Sequence, residues 1–277
     1  MYIFHFSREG GLTLHRVSPN FTSDKYTLNM SYAPCCLKGF EWEGTPKGRM
    51  EKLASNGTYV AGDNLDRAVL LIHDALGWTF PNIRLLADHY AQEVNATVYV
   101  PDFFGGEVLS SEILLSGDWS KLDMPGFMAR NSRVVREPEI FDFARALRAK
   151  YKKVGAVGYC FGGWAVFRLG AKEHQPPLVD CITAGHPTLL TKKDIDEVGV
   201  PVQILAPEMD RPYHAELKAH TFVTIPTLGV PFDYQFFPGV EHACLTRGDP
   251  KKPGERDAMI RGKNAAAGWL TQFLGEV

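Results

Sequence analysis

The sequence predicts an α/β fold in which a mostly parallel central sheet carries helices on both faces. Three observations lead to this prediction: short apolar runs spaced along the chain, helical patterns between them, and a glycine-rich turn from strand to helix at Gly158 to Gly163. Strands that alternate with helices are joined by right-handed crossovers, which produce a parallel sheet covered on both sides. At 277 residues and 45% hydrophobic content, the chain is long enough to fold as one such domain.

The individual elements follow from local patterns. Six apolar runs predict strands at 68–73, 97–101, 154–159, 181–184, 202–206 and 233–237. Pro81 marks the first turn of a helix that continues to Val94, and further helical patterns cover 137–151 and 256–273. The stretch from Gly105 to Arg136 is long and irregular. Its length predicts a lid or a wall of the substrate pocket between core elements.

Charge and composition argue against several classes of partner. The net charge is -2 and like charges do not run together, so we expect no nucleic acid and no membrane surface as partner. A small molecule is the expected partner, bound by a monomer or a homodimer. The segment 1–6 makes a poor signal peptide and no segment has the apolar length of a membrane span.

The five cysteines are odd in number and irregularly spaced, at positions 35, 36, 160, 181 and 244. They form no Cys-x-x-Cys pair, which favours reduced thiols in a cytoplasmic protein. Cys244 lies two residues from His242, but no second pair with the spacing of metal ligands accompanies it. We therefore expect no metal and no organic cofactor.

The chemistry centres on Cys160, in the motif Gly-x-Cys-x-Gly-Gly at the end of an apolar run. A sharp turn of this kind is expected to hold the nucleophile exposed above the sheet edge, and glycines two residues away leave room for the neighbouring strand and helix. The unpaired N-H groups of the following helix favour a thiolate and can hold an oxyanion. The alternative is a small buried cysteine in a glycine-rich turn.

A thiol nucleophile needs a base, and the base needs a group that fixes its tautomer. Asp210 follows the predicted strand 202–206, and His242 follows the strand 233–237. The carboxyl ends of parallel strands meet at one edge, where open α/β sheets bind ligands. The sequence therefore predicts a triad of Cys160, Asp210 and His242.

Other acids and bases stay open at this point. Glu208, two residues before Asp210, is an alternative acid. His186 follows the strand 181–184 and is the other histidine expected at this edge, whereas His214 and His220 lie in a predicted helix and are expected to face solvent. His242 has the best position.

The order of these residues resembles the dienelactone hydrolases, which carry a Cys-Asp-His triad on an α/β-hydrolase core. The resemblance covers the chain from about Met30 to the end. The matching motifs are Gly-Thr-Pro-Lys-Gly at 44–48, His-Asp-Ala-Leu-Gly-Trp at 73–78, Pro-Asp-Phe-Phe-Gly-Gly at 101–106, the turn at 158–163, and Gly-Val-Glu-His at 239–242 with Arg-Gly-Asp at 247–249.

This resemblance implies further roles. The backbone N-H groups of Ala75 and Phe161 are expected to form the oxyanion hole. Asp74 occupies the place of an acid that contacts the resting thiol, although it could simply cap a turn. Arg247 matches an arginine that binds a substrate carboxylate, although it could be a surface charge; a second such arginine is missing.

Two aromatic residues of the matched motifs, Trp78 and Phe104, are expected to contact the substrate. Residues 1–29 lie outside the resemblance and are expected to be an extension with little regular structure, especially in the polar part 18–31. Residues 30–277 are expected to form the single α/β-hydrolase domain.

The expected activity is the opening of an activated ester or lactone of a small molecule through a cysteinyl thioester. Thiolate is a better leaving group than alkoxide, so a cysteine enzyme favours substrates such as enol lactones over amides. One alternative is a biosynthetic enzyme that uses the same pocket for acyl transfer, isomerisation or cyclisation of a larger natural product. The other is a catalytically silent binding protein.

Overall fold

A computed structural model describes residues 2–6, 12–16, 41–110, 112–113 and 119–275. The chain consists of two compact units, residues 1–30 and residues 31–277, each of which makes contacts mainly within itself. In the first unit, β1 (Tyr2–Phe6) pairs antiparallel with β2 (Leu12–Arg16). The extension 1–29 was expected to have little regular structure, so this pair of strands differs from the prediction. The predicted irregular part, 18–31, lies outside the described residues.

The second unit contains one eight-stranded sheet. Its strands are β3 (Arg49–Leu53), β4 (Asn56–Ala61), β5 (Arg67–Ile72), β6 (Thr97–Pro101), β7 (Lys153–Tyr159), β8 (Cys181–Gly185), β9 (Val202–Met209) and β10 (Phe232–Glu241). They lie in the order β10-β9-β8-β7-β5-β6-β4-β3. The six strands from β10 to β6 are parallel, and β4 and β3 extend the sheet antiparallel.

The described helices connect and flank these strands. They are α1 (Pro81–Val94), α2 (Met124–Arg130), α3 (Arg133–Lys150), α4 (Gly162–Leu169), α5 (Lys192–Asp196), α6 (Ala215–Thr224), α7 (Cys244–Arg247) and α8 (Pro253–Leu274). Two short 3-10 turns cover Trp119–Lys121 and Ile225–Leu228. Among the helices of the described ranges, none combines the length and the apolar character that crossing a membrane requires.

The core lies on both faces of the sheet. Along β5, Leu70 and Ile72 belong to a cluster with helices α3 and α4, whereas Val69 and Leu71 belong to a second cluster with α1 and α8. Side chains of a strand alternate between the two faces, so this division shows that helices cover both. The predicted fold class is therefore confirmed, and the six predicted strands all form within a few residues of their predicted bounds.

The stretch 105–136 forms an excursion, as predicted, and its described part is held together by charged side chains. Arg130 of α2 pairs with Glu107 at 2.6 Å, and Asn131 donates to the same carboxylate at 3.1 Å. Residues 111 and 114–118 lie outside the described part. A lid or wall function for this excursion stays a prediction.

Candidate active site

Cys160 lies between the end of β7 and the start of α4. Its φ of 50° falls in the left-handed region, which is strained for a residue with a side chain. Hydrogen bonds hold this backbone on both sides: its N-H donates to the carbonyl of Gly185 at 3.1 Å, and its carbonyl accepts from Gly163 and Thr188, both at 2.9 Å. The strained turn predicted around Cys160 is thus present. The side chain of Cys160 is 0% exposed, so the expectation that it stands exposed above the sheet edge is wrong.

The flanking glycines have steric reasons to be glycine. A Cβ on Gly158 would run into the carbonyl of Gly162, and a Cβ on Gly162 would run into the carbonyl of Ile72 in β5. Backbone atoms cannot move aside as a flexible side chain can. The turn therefore closes tightly because positions 158 and 162 carry no side chain.

His242 and Asp210 form a buried pair. His242 directly follows β10, and its N-H donates to the carbonyl of Met209, which ties the turn to the end of β9. Nδ1 of His242 lies 2.8 Å from Oδ1 of Asp210, and both side chains are fully buried. Since an ionised carboxylate only accepts, we assign the proton of this bond to Nδ1. This leaves Nε2 for proton transfer.

The electrostatics of the pair favour a charged imidazole. Burial of the ring opposes the charge, but electrostatic interactions with Cys160 and Asp210, together with the hydrogen bond to Asp210, outweigh it and raise the pKa of His242 to about 10. A protonated His242 beside Cys160 stabilises the thiolate form of the nucleophile. The structure therefore brings together all three residues of the predicted triad in an arrangement suited to nucleophilic chemistry.

The alternative acid and bases take other positions. Glu208 is exposed, and its Oε2 accepts from the N-H of Gly239 at 2.7 Å. His214 is exposed at the start of α6, and His220 pairs with Asp196 on the surface at 2.7 Å. His186 is fully buried, with its ring centroid 4.9 Å from that of His242. Only His186 among these four reaches the triad.

Asp74 and Arg247 meet in a second buried pair, Nε to Oδ2, at 2.9 Å. Oδ1 of Asp74 accepts from the N-H of Leu76 at 2.8 Å, and Oδ2 accepts from the hydroxyl of Thr246 at 3.0 Å. Asp74 therefore does cap the turn after β5. Arg247 is only 2% exposed, so its alternative interpretation as a surface charge is wrong. A contact of Asp74 with the thiol stays a prediction.

The expected oxyanion donors lie on neighbouring loops. Ala75 follows β5, and Phe161 separates Cys160 from α4; both are buried. Strands β5 and β7 are adjacent, with Ile72 opposite Gly158, so both loops leave the sheet at the same edge. This placement is compatible with a shared oxyanion hole, which stays a prediction.

The two aromatic residues expected to contact the substrate differ in their surroundings. Phe104 is buried among aromatic rings, with centroids 4.9 Å from Phe161 and 4.5 Å from His73. Trp78 is half-buried, with the guanidinium of Arg84 5.2 Å from its ring centroid. Phe104 thus supports the residue that follows the nucleophile. Contact of either ring with a substrate stays a prediction.

A cavity of about 360 Å³ opens beside His242. Residues between Met209 and Glu255 line it, and they include both His242 and Arg247. A small organic molecule fits a cavity of this volume. Among the described residues, no group of three or more His, Cys, Asp and Glu side chains is arranged to hold a metal ion. Cys244 instead donates through its Sγ to the carbonyl of Glu255 at 3.8 Å.

Sequence reasoning did not find Thr188. Its N-H binds the carbonyl of Cys160, and its hydroxyl lies 3.9 Å from Sγ. The one signal for it was its position just after β8, the strand next to the nucleophile strand. Thr246, whose hydroxyl binds Asp74, was also missed, because its contact depends on how two distant loops meet.

Comparisons with known proteins bear on the family of this chain. The family model of the dienelactone hydrolase family matches residues 57–274. A protein named Hydrolase tropI from Talaromyces stipitatus is 27% identical over 250 residues, which cover 87% of this chain and 96% of that protein. The human carboxymethylenebutenolidase homolog is 33% identical over 53% of this chain and 59% of its own length.

Among solved structures, a putative dienelactone hydrolase from Klebsiella pneumoniae superposes with a TM-score of 0.62 at 14% identity, covering 79% of this chain and 94% of that one. At this identity the likeness shows the fold, which is that of the α/β-hydrolases. The family model covers most of the chain, including the turn at Cys160 and the loops of Asp210 and His242. The chain therefore belongs to the dienelactone hydrolase family and is a hydrolase of the carboxylic ester and lactone class.

Proposed function

We propose that the protein hydrolyses an activated ester or enol lactone of a small molecule through a thioester on Cys160. The observation that carries this proposal is the buried group of Cys160, His242 and Asp210. In this group Asp210 accepts a hydrogen bond from Nδ1 of His242, and the thiol of Cys160 interacts with the same imidazole ring. This arrangement matches what a thiol nucleophile needs, namely a base in reach and a carboxylate that orients the base.

In the first half of the proposed reaction, the thiolate of Cys160 attacks the carbonyl carbon and the carbonyl oxygen becomes negatively charged. The N-H groups of Ala75 and Phe161 stabilise this oxygen, and each such donor lowers a barrier by about 3 kcal/mol. The carbon-oxygen bond of the ester then breaks, and His242 gives its proton to the departing oxygen. In a lactone that oxygen stays attached to the acyl group.

In the second half, His242 is neutral and accepts a proton from water as the water attacks the thioester. The intermediate collapses, thiolate leaves, and the acid is released with His242 charged again. Asp210 keeps Nδ1 protonated throughout, so that Nε2 carries each proton. This chain needs only its own side chains for these steps.

The preference for activated substrates follows from the nucleophile. A thiolate departs from a tetrahedral intermediate more readily than an alkoxide does, so the reaction goes forward only where the ester leaving group is good. The cavity beside His242 supports a small substrate. An acidic group of that substrate would compete with Asp74 for the guanidinium of Arg247. A reducing location suits Cys160, Cys181 and Cys244, which form no disulfide with one another in the described part of the chain.

Intact-protein mass spectrometry tests this proposal. The protein is mixed with a panel of enol lactones and aryl esters, beside Cys160→Ala as the nucleophile control and Cys244→Ala as a control at another buried cysteine. We expect an acyl adduct that decays with release of acid in the wild type and in Cys244→Ala, but no adduct in Cys160→Ala. An adduct on Cys160→Ala would contradict the assignment of the nucleophile.

A further inference from the structure

The buried side chain of His186 has no role in the reaction proposed for the site. His186 is 0% exposed, yet neither ring nitrogen has a hydrogen-bond partner on another residue of the described chain. A buried polar group without a partner destabilises the folded protein, and a phenyl ring would fill the same space without that cost. The imidazole therefore calls for a hydrogen-bond partner from outside the protein chain, such as a water molecule.

The sheet places His186 beside the nucleophile. In the pairing of β7 with β8, Tyr159 lies opposite Gly185, so the next residue of each strand, Cys160 and His186, leaves the sheet at the same point. The N-H of Cys160 donates to the carbonyl of Gly185, and the N-H of His186 donates to the carbonyl of Leu205 in β9. His186 is thus fixed between the strand of the nucleophile and the strand that leads to Asp210.

The ring of His186 also contacts the base. Its centroid is 4.9 Å from that of His242 at an interplanar angle of 66°, and Tyr159 packs against it at 5.4 Å. The φ of His186 is 36°, a strained value that histidine tolerates better than most residues. A strained residue in contact with the base and next to the nucleophile is typical of a residue with a function.

The surroundings keep His186 uncharged. Burial, together with the positive charges of His242 and Arg247, lowers the pKa of His186 well below its ordinary value. A neutral imidazole has one nitrogen that donates and one that accepts. His186 therefore offers an acceptor beside His242 without repelling the proton that His242 carries.

We propose that His186 is a further catalytic residue, which binds the water that hydrolyses the thioester on Cys160. One O-H of this water points to Nε2 of His242, which accepts its proton, and the other O-H points to a ring nitrogen of His186, which accepts a hydrogen bond. The water oxygen forms the new bond to the thioester carbon and the carbon-sulfur bond then breaks. His186 loses and gains no proton in this step, which rests on the proposed function.

If His186 binds the water, its replacement should slow deacylation of Cys160 and leave acylation largely unchanged. His186→Phe keeps the ring volume and removes both nitrogens, so the first half of the reaction should continue while the second half slows. With 4-nitrophenyl acetate, the burst of nitrophenolate measures acylation of Cys160, and the decay of the acetyl adduct measured by mass spectrometry gives deacylation. We expect a burst rate within about twofold of the wild type and a deacylation rate lower by about tenfold, the effect of one hydrogen bond.

A second variant, a chemical control and a control variant complete the test. His186→Asn retains an amide and tolerates positive φ, so it should fold where His186→Phe is strained and should lose less of the deacylation rate. Hydroxylamine attacks thioesters without help from a base, so it should discharge the adduct at the same rate in the wild type and in His186→Phe. His89→Phe, at an exposed histidine of α1, is the matched control and should behave as the wild type.

The outcomes separate the two proposals. A wild type that forms no adduct on Cys160 would overturn the proposed function and the role of His186 with it. A wild type that acylates and deacylates beside a His186→Phe that does the same would overturn only the role of His186. Equal slowing of both halves in His186→Phe would also overturn it, because His186 would then act by positioning His242.

Discussion

Asp74 and Arg247, which are 173 residues apart in the chain, form a buried ion pair in which Nε lies 2.9 Å from Oδ2. The carboxylate also accepts from Leu76 and Thr246, so it joins the turn after β5 to helix α7. The two loops that it joins carry an expected oxyanion donor, Ala75, and the end of the turn that holds His242. The pair therefore stabilises the relative position of the two halves of the site.

Removal of one partner of this pair should be costly. Arg247→Met leaves the carboxylate of Asp74 buried without its cation, which typically costs about 3–5 kcal/mol of the free energy of unfolding. Asp74→Asn combined with Arg247→Met removes both charges and should recover part of that loss. Urea unfolding of the two single variants and the double variant measures the coupling. Strictly additive losses would show that the pair does not stabilise the fold.

The charged state of His242 should make stability depend on pH. Its pKa in the folded protein is raised to about 10, above its ordinary value of 6.5. The folded state therefore holds this proton more tightly than the unfolded chain, so the stabilisation is complete below about pH 6.5 and is lost as pH rises through 10. In urea unfolding at pH 6, 8 and 10, the wild type should lose stability relative to His242→Gln as pH rises. A difference that stays constant with pH would contradict the raised pKa.

Two glycine substitutions should have opposite effects. Gly158→Ala pushes a methyl group into the backbone of Gly162, so it should lower the free energy of unfolding by about 1–3 kcal/mol or more, as overpacking does. Gly268 is exposed within α8, and a methyl group at this position would meet no atom within 4 Å. Gly268→Ala should therefore stabilise the helix by roughly 0.5–1 kcal/mol. Chemical denaturation measures both, and a neutral Gly158→Ala would show that the turn can relax.

The described cysteines should differ in reactivity. Burial and the nearby charge of Asp180 raise the pKa of Cys181, and burial and Glu255 raise the pKa of Cys244 to about 12. Both thiols should stay protonated and unreactive at pH 7, whereas Cys160 has the imidazolium of His242 beside it. Peptide mapping after treatment with iodoacetamide at pH 7 should find Cys160 labelled before Cys181 and Cys244. His242→Gln should remove this preference; equal labelling of all three in the wild type would contradict it.

The sequence predicted the parallel core well but missed the antiparallel edge. Strands β5 to β9 are apolar because they are buried on both faces over most of their length, so their composition shows them directly. Strand β10 lies at the edge of the sheet and is only partly buried, but its aromatic residues still mark it as a strand. Strand β3 is mostly exposed, with the sequence Arg-Met-Glu-Lys-Leu, which has the polarity of a loop. Its hairpin with β4 turns at Ala54, whose φ is 52°, where a glycine or asparagine would have signalled the turn.

The proximity of the three predicted triad residues could be predicted for a related reason. Cys160, Asp210 and His242 each follow a strand of the parallel core, so strand order alone places them at one edge of the sheet. The contacts of Arg247 with Asp74 and of His186 with His242 depend on how loops fold over that edge. No local sequence pattern predicts such contacts between distant loops. The burial of Arg247 and the ring contact of His186 are therefore visible only in the structure.

The nucleophile has no exposed surface: the side chain of Cys160 lies at 0% accessibility beneath its loops. Oxidation of a thiolate depends on its exposure as well as on its charge. Any oxidant therefore needs an opening of the surrounding structure to reach this sulfur, and hydrogen peroxide needs a much smaller opening than a bulky disulfide such as oxidised glutathione. The burial of this one sulfur therefore sets the chemical lifetime of the enzyme, because it decides which oxidants can inactivate it.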